Sequence, residues 1–391
     1  MNKRSLLIIF LTVFIDMLGF GIVIPLLPLY AEKFGANAAV IGWLLASYLI
    51  AQALCAPLLG RLSDRIGRRP VLIAALVGSA VSFALLGAAK TLAWLFVARV
   101  LGGVTGGSIS AAKSYIADVT TPENRAKGMG VLGAGIGLGY VLGPAIGGVL
   151  MVHEPALPYF LAAGLALANS LSALVFLPAP PRAAKRDAAT DELSALAYAG
   201  RAFRHPRLGH CLWIVFFTTL TFSLFTGTFA LLGQHRFAFT PRKIGLLMSF
   251  IGLMAAMVQG GLIGPLVKRF GELRLVATGA LMFAASMALL PAAHSLWTML
   301  AALALLGLGN GLNGPAILAL ISHEAAADEQ GRLLGFEQSL ESIARILGLV
   351  VGGWLFAQME WVPYAFGAVL MTVGCALAVL QIAHRKTASP A

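Results

Sequence analysis

Ionisable residues inside apolar segments are the most informative chemical feature of this sequence. Asp16 lies about eleven residues into the first apolar segment, which at ~1.5 Å per residue is near the middle of a bilayer. A charge at that depth costs about 2.5–3.5 kcal/mol on insertion scales and must face the interior of a helical bundle. A carboxylic acid placed there can gain and lose a proton as water reaches it from either side. Asp16 is therefore a candidate proton carrier.

Arg99, in the fourth apolar segment, is the expected partner of this acid. Because a guanidinium is always charged, it can hold Asp16 ionised until a substrate or a proton competes for the carboxylate. The alternative is a purely structural ion pair between Asp16 and Arg99, and the two roles are compatible.

A second group of charges lies in the eleventh apolar segment. Glu337, Glu341 and Arg345 follow one another at intervals of four residues, so they share one face of a helix. Glu341 is the second candidate for proton coupling. The sequence favours a structural ion pair between Glu341 and Arg345, and it places Glu337 near the membrane interface.

Positioning these groups requires helices that cross a membrane. With 59% hydrophobic and 11% charged residues and a mean hydropathy of +0.87, the chain cannot be a soluble globule. The sequence has no CxxC spacing and no nucleotide-binding loop, so we predict no metal, no cofactor and no enzymatic activity. It predicts an all-α integral membrane protein with twelve transmembrane helices, at 5–30, 38–60, 70–90, 92–117, 126–151, 157–177, 209–232, 242–266, 274–293, 295–322, 332–357 and 361–383.

The basic residues indicate the orientation of these helices. Twenty of the 28 Lys and Arg residues fall in loops on the side of the N-terminus, and five fall in loops on the other side. By the positive-inside rule both termini are cytoplasmic. The net charge of +12 is thus a topology signal and gives no support to a nucleic-acid partner.

The two halves of the sequence repeat one another. A proline-rich, charged stretch at 178–208 predicts a cytoplasmic linker between a bundle at 1–177 and a bundle at 209–391. The segment from Gly60 to Arg69 recurs from Gly264 to Glu272 at an offset of 204 residues, and matched glycines follow in later segments at offsets of 205 and 206 residues. This repeat implies an architecture of two six-helix bundles that rock about a site between them near mid-membrane.

Glycines of the fifth apolar segment predict close helix packing. Gly139, Gly143 and Gly147 fall on nearly one face, with Gly148 beside them, so a neighbouring backbone can approach closely. Pro144 removes one helical hydrogen bond and favours a bend.

This glycine pattern resembles the fifth-helix antiporter motif of the major facilitator superfamily. Three further stretches resemble its motifs: Gly60 to Arg69, Leu18 to Pro28, and Arg99 with Gly103. The resemblance is to the drug/proton antiporter branch, which includes tetracycline exporters. It implies a proton-coupled antiporter that works as a monomer in the bacterial inner membrane and exports small lipophilic molecules or drugs. The implied partners are the substrate, protons and lipid.

The loop between the second and third segments has a role in that family as a conformational latch. The resemblance assigns this role to the loop residues and to one acid just after the fourth segment, with the eleventh helix as their partner. Gly60 and Gly67 are expected to permit a tight turn. A plain positive-inside anchor is the alternative, but it does not explain Asp64. The assigned residues are Gly60, Asp64, Arg65, Gly67, Arg68, Arg69 and Asp118.

Substrate identity is weakly encoded. Polar or aromatic side chains within the segments are candidates for binding, and interhelical hydrogen bonding or packing is the alternative for each. The third and ninth segments lack the acids, and the eighth lacks the histidine, that tetracycline exporters carry, which argues against tetracycline itself. The candidates are Gln52, Phe225, Gln259, Asn310 and Asn313.

Two other function classes share parts of this description. A proton-coupled importer of a small nutrient would have the same fold, but the fifth-helix motif favours export. A receptor or scaffold that transports nothing would have no use for a costly acid at mid-membrane.

Overall fold

The computed structural model describes residues 3–106, 112, 122–176, 200–324 and 330–387. Within these ranges the regular structure is helical, and no strand is present. The helices are α1 (Lys3–Val23), α2 (Leu27–Glu32), α3 (Ala38–Ile66), α4 (Arg68–Gly87), α5 (Leu92–Thr105), α6 (Pro122–His153), α7 (Leu157–Phe176), α8 (Pro206–Phe237), α9 (Pro241–Met257), α10 (Ile263–Phe270), α11 (Glu272–Leu289), α12 (Leu296–Glu324), α13 (Gln330–Gln358) and α14 (Val362–Thr387).

The prediction of an all-α membrane protein is confirmed. Ten helical stretches of the described residues are long and apolar enough to cross a membrane, and two shorter apolar helices cover Phe10–Val23 and Leu92–Thr105. Each of the twelve predicted segments overlaps one of these helices. The fourth segment, predicted at 92–117, is helical from Leu92 to Thr105, and most of its remainder lies outside the described residues. In the eighth segment the π-helical turn Val258–Leu262 joins α9 to α10.

The first predicted segment, at 5–30, is not one continuous helix. The α1 helix ends at Val23, and a separate short helix α2 begins at Leu27. Proline explains the break, because Pro25 lacks an amide hydrogen for the helical ladder and Pro28 lies in the first turn of α2, where its ring is tolerated.

The loop after α3 turns at one glycine rather than two. Gly60 lies inside α3, so the turn expected there is absent, whereas Gly67 has φ +102° and separates α3 from α4. The second copy of the loop repeats this geometry, since Gly271 has φ +77° between α10 and α11. Only glycine adopts such angles without strain, which explains the glycine in both copies.

The chain forms two compact units. One comprises Met1–Arg186 with Phe229–Ser249, and the other comprises Asp187–Thr228 with Phe250–Ala391. Helices α8 and α9 each contribute to both units. The bundle boundaries that the sequence indicates, at 1–177 and 209–391 with a linker at 178–208, stay a prediction.

In the first unit α1 packs most extensively along α6, through the glycines of the fifth-segment motif. Gly139 faces Met17 and Leu18, and a Cβ atom on Gly143 would lie 2.7 Å from the Cα of Gly21. Gly147 faces Ile22 and Leu26 one turn later. Gly148 faces a different partner, the start of α9 at Pro241 and Arg242. The helix continues through Pro144.

The second unit repeats this packing. Gly348 of α13 lies against Leu220 and Ser223 of α8, and Gly352 lies against Leu224. These glycines are the counterparts of Gly143 and Gly147 at the 205-residue offset, so the fifth and eleventh segments pack in the same way on the first and seventh.

A buried serine reveals the internal repeat independently of the glycine motifs. The hydroxyl of Ser82 donates to the carbonyl oxygen of Ala98 at 2.8 Å, and that of Ser286 donates to the carbonyl oxygen of Ala302 at 2.6 Å. Both residues of the second bond lie 204 positions after those of the first. The repeat therefore extends to side-chain hydrogen bonds between helices.

Replacing Gly143 with alanine tests whether the motif works through backbone contact. Because the new Cβ would overlap Gly21, we expect Gly143→Ala to destabilise the protein by about 1–3 kcal/mol. Gly137→Ala is the matched control in the same helix, since a Cβ there meets no atom within 4 Å. Thermal unfolding in detergent should show a lowered midpoint for Gly143→Ala alone. Equal midpoints for the two variants would contradict the packing account.

Candidate functional site

Arg99 of α5 is buried in the first unit and makes two contacts there. Only 2% of its surface is exposed. Its Cζ atom lies 4.4 Å from the ring centroid of Tyr48, and its Nη2 donates to the carbonyl oxygen of Leu45 at 3.4 Å. A cation over an aromatic face at this distance is attracted by the ring quadrupole, and burial strengthens that attraction. The α3 helix thus supplies both contacts that hold the guanidinium.

Asp16 of α1 is buried in the same unit and acts electrostatically on the same tyrosine. Asp16 is 8% exposed, and both its carboxylate and the Arg99 guanidinium are within electrostatic range of the Tyr48 hydroxyl. Three helices of the unit therefore place a carboxylic acid and a guanidinium around one phenol. Such a cluster can exchange a proton at the acid while the guanidinium stays charged.

Glycines of α5 make room for Tyr48. A Cβ on Gly103 would overlap the Tyr48 carbonyl oxygen, one on Gly102 would lie 3.3 Å from its ring, and one on Gly106 would lie 2.7 Å from its hydroxyl oxygen. Gly102 and Gly103 lie on the helix that carries Arg99, and Gly106 follows its last turn. The family resemblance of Arg99 with Gly103 thus has a physical account, in which the glycine lets α3 approach closely enough for Tyr48 to meet the arginine.

The predicted latch residues of the loop are paired within the first unit. The Nη2 of Arg68 lies 2.7 Å from the Oδ1 of Asp64, whose side chain is 54% exposed, and Arg68 Nη1 donates to the Ser63 hydroxyl at 3.2 Å. Arg69 donates to the carbonyl oxygen of Leu174 near the end of α7. Arg65 is exposed. The last of the seven latch candidates, Asp118, lies outside the described residues.

In the second unit Glu341 lies in an ion pair on its own helix. Its Oε2 is 3.6 Å from the Nη2 of Arg345, and both side chains are partly exposed. This geometry favours the structural pair over a role for Glu341 in proton coupling.

The substrate candidates fall into different environments. The amide of Gln52 donates to the Gly106 carbonyl oxygen at 3.0 Å, close to Tyr48. Asn313 is fully buried and donates to the Val276 carbonyl oxygen at 3.3 Å, which favours its interhelical alternative. Phe225 is also buried, with its ring 6.3 Å from that of Phe222.

The other two substrate candidates, Asn310 and Gln259, have side chains that are at least partly exposed. Asn310 of α12 is half-buried, and Gln259 is exposed in the π-helical turn. Turns of this kind are frequent at functional sites, because they release a backbone carbonyl from the helical ladder.

Two residue groups are functional candidates that the sequence did not indicate. Tyr48 lies in an ordinary apolar segment, and only the glycines at 102, 103 and 106 hint that a large side chain packs on α5. A second group is the pair of His235 and Glu32, whose Nε2 and Oε1 atoms are 2.7 Å apart. Their separation of about two hundred residues leaves no local pattern.

Comparison with known proteins identifies the family of the chain. The model of the Major Facilitator Superfamily matches residues 9–263 and 214–391. The chain belongs to the major facilitator superfamily. It is a membrane transporter and not an enzyme, and the resemblance carried by the motifs is confirmed.

Individual relatives are resistance proteins. The chain is 33% identical over 363 residues to the class D tetracycline resistance protein of Salmonella ordonez, covering 92% of this chain and 91% of the relative. It is 29% identical over 382 residues to multidrug resistance protein 1 of Bacillus subtilis (strain 168), covering 97% of each. The solved structure of the human organic anion transporter MFSD10 (TETRAN) matches with a TM-score of 0.70 at 26% identity, covering 96% of this chain and 99% of that one.

Replacing Asp64 tests whether the loop pair acts in conformational change. Because an exposed pair contributes about 0–1 kcal/mol, we expect Asp64→Asn to unfold at nearly the wild-type temperature. We expect it to bind substrate normally and to turn over several-fold more slowly, measured as efflux from proteoliposomes. Lys268→Gln is the matched control, because Lys268 occupies the same place in the second copy of the loop. A loss of equilibrium binding in Asp64→Asn with unchanged turnover of the bound fraction would oppose the latch role.

Proposed function

We propose that this transporter is a proton-coupled antiporter that exports small lipophilic molecules by alternating access. The observation that carries the proposal is the burial of Asp16 and Arg99 around Tyr48 in apolar helices of the first unit. Burying two ionisable groups in apolar helices costs free energy, and a role in transport explains why they are there. The names of the relatives, which are multidrug and tetracycline resistance proteins, support export as the direction.

Each part of the site has a role in this scheme. Asp16 carries the proton, and Arg99 favours its ionised form until a proton arrives. The loop pair of Asp64 and Arg68 holds one conformation of the cytoplasmic side. The α1 helix, which bears Asp16, is held by the glycine face of α6, so a change in protonation acts on a tightly packed helix pair.

The remaining parts of the proposal concern setting. The excess of basic residues on one side supports cytoplasmic termini, and the relative from Salmonella ordonez supports the bacterial inner membrane as location. We propose that the protein functions as a monomer and that the proton gradient drives transport.

Reconstitution with an imposed pH gradient tests the proposed function. In proteoliposomes loaded with a lipophilic cation, we expect wild-type protein to move the cation against the proton flux, and a protonophore to abolish the movement. The variant Asp16→Asn mimics the permanently protonated acid, so it should bind the cation yet show no gradient-driven transport. Glu341→Gln is the control acid, because its half-exposed ion pair predicts transport at near wild-type rates.

The double variant Asp16→Asn with Arg99→Gln separates a carrier from a structural partner. If Asp16 only neutralised Arg99, removing it alone would leave a buried cation and destabilise the protein, and the double variant would recover stability and transport together. For a proton carrier, the double variant recovers stability at most. Gradient-driven transport by the double variant, or transport by the wild type that follows ATP and ignores the pH gradient, would refute the proposal. Movement in the same direction as the proton would indicate an importer.

A further inference from the structure

Two buried polar atoms of the first unit, the hydroxyl oxygen of Tyr159 and the Nε of Arg99, lack a hydrogen-bond partner among the residues that the structure describes. Tyr159 is fully buried in the first turn of α7, and Arg99 is 2% exposed. Buried polar atoms are nearly always bonded to protein or to an ordered water, because an unpaired one is costly. Each of these two atoms therefore calls for a partner.

Electrostatics relates the two side chains to each other. Both the Tyr159 phenol and the Tyr48 phenol act on the Arg99 guanidinium. Tyr48 lies over the face of the guanidinium, and the carbonyl oxygen of Leu45 accepts from Nη2. These contacts from α3 leave the Nε–H edge of Arg99 for another partner.

The internal repeat shows how a tyrosine at this position is satisfied in the second unit. Tyr364 lies 205 positions after Tyr159, is also fully buried, and has a hydrogen bond of 3.2 Å to the Thr228 hydroxyl. At the 204-residue offset of the serine bonds, Arg99 corresponds to Leu303, which is buried. The tyrosine with a hydroxyl partner therefore has no arginine at the matching position, and the tyrosine without a described partner does.

The end of the first unit that carries Tyr159 also carries an exposed acid. The ring of Tyr159 lies 4.8 Å from that of Tyr30 in α2, and Glu154, exposed between α6 and α7, acts electrostatically on Tyr30. With cytoplasmic termini this end faces outside. Solvent at Glu154 is therefore close to Tyr159.

We propose that an internal water molecule joins the Nε–H of Arg99 to the hydroxyl of Tyr159, and that Tyr159 is a positioning residue for the guanidinium. The Nε–H donates to the water oxygen, and the water and the phenol share a second hydrogen bond. Buried waters in proteins typically satisfy such otherwise unpaired groups. The water site stands on the geometry, whereas the positioning role rests on the proposed function, in which Arg99 favours ionised Asp16.

The sign of a stability change tests the water site. Removing a hydroxyl that bonds nothing leaves a protein equally stable or more stable, because an apolar ring replaces an orphaned polar group. We expect Tyr159→Phe instead to lower the thermal midpoint in detergent. Tyr364→Phe calibrates the size of the loss, since it removes the hydrogen bond to Thr228. In an Arg99→Met background the effect of Tyr159→Phe should be smaller, because the water has lost its donor.

An unchanged or raised midpoint in Tyr159→Phe would overturn the water site, as would an equal loss in both backgrounds. Structures of wild type and Tyr159→Phe locate the water directly and do not depend on the folding of Arg99→Met. We expect density within hydrogen-bond distance of both atoms in wild type and none there in Tyr159→Phe. A direct bond between Arg99 and Tyr159, or no density between them, would also overturn it.

The pH dependence of cation binding tests the positioning role. The groups related to the guanidinium are Asp16 of α1 and the phenols of Tyr48 and Tyr159, and phenols do not titrate near neutral pH. Binding of tetraphenylphosphonium, a lipophilic cation, should therefore fall in acid as Asp16 is protonated. Because Tyr159→Phe removes one partner of Arg99, the guanidinium interacts more strongly with Asp16, and the fall should move to lower pH by roughly one unit.

The variant Tyr364→Phe controls for lost stability, and it should keep the wild-type pH profile. An unshifted profile in Tyr159→Phe, or an equal shift in Tyr364→Phe, would refute the positioning role. Wild-type binding that ignores pH would contradict both the proposed function and the positioning role. The water site would then still be decided by the thermal midpoints and the two structures.

Discussion

The burial of a permanently charged guanidinium among apolar helices is the constraint on which the rest of the site depends. Arg99 cannot shed its charge, so the surrounding helices must supply compensation. They do so with the π face of Tyr48 and the carbonyl oxygen of Leu45, both from α3. The α5 glycines follow from the same requirement, since they let α3 come close enough to deliver that ring.

Close contact between helix backbones at glycines is the second feature that recurs in both units. Apolar side chains gain little by leaving lipid for a protein interior, so helices in membranes associate through close backbone contact. The α6 glycines pack against α1, which carries Asp16, and the α13 glycines pack against α8 in the second unit. A carrier whose proton site lies on such a helix couples a local change of charge to a tightly packed interface. Because the two helices are in close contact there, a small displacement of one helix moves the other and is not taken up by rearrangement of side chains between them.

Much of the fold could be predicted from the sequence, because hydropathy reports directly on the bilayer. The twelve segments, the repeat at 204–205 residues and the role of the fifth-segment glycines all follow from composition and spacing. Hydropathy does not reveal the break between α1 and α2, although Pro25 and Pro28 are its cause. The turn expected at Gly60 is wrong, because the sequence does not distinguish a glycine in a helix from a glycine in a turn, and only the backbone angles do.

The candidate site could be predicted only where charge marked it. Asp16 and Arg99 stand out because ionisable residues are rare at that depth, whereas Tyr48 is one aromatic residue among many and becomes notable only through contacts made across the chain. Asn313 is a contrasting case. Its polar side chain within a span suggests substrate binding, but its amide donates to a carbonyl oxygen of a neighbouring helix.

The central claim is that Asp16 is the group whose protonation competes with substrate, with Arg99 as its electrostatic partner. Proton release on binding tests it most directly. Purified protein in weakly buffered solution is mixed with tetraphenylphosphonium while the pH is recorded. The account predicts that wild-type protein releases protons as the cation binds, and that Asp16→Asn binds the cation and releases none. Undiminished proton release by Asp16→Asn would contradict it.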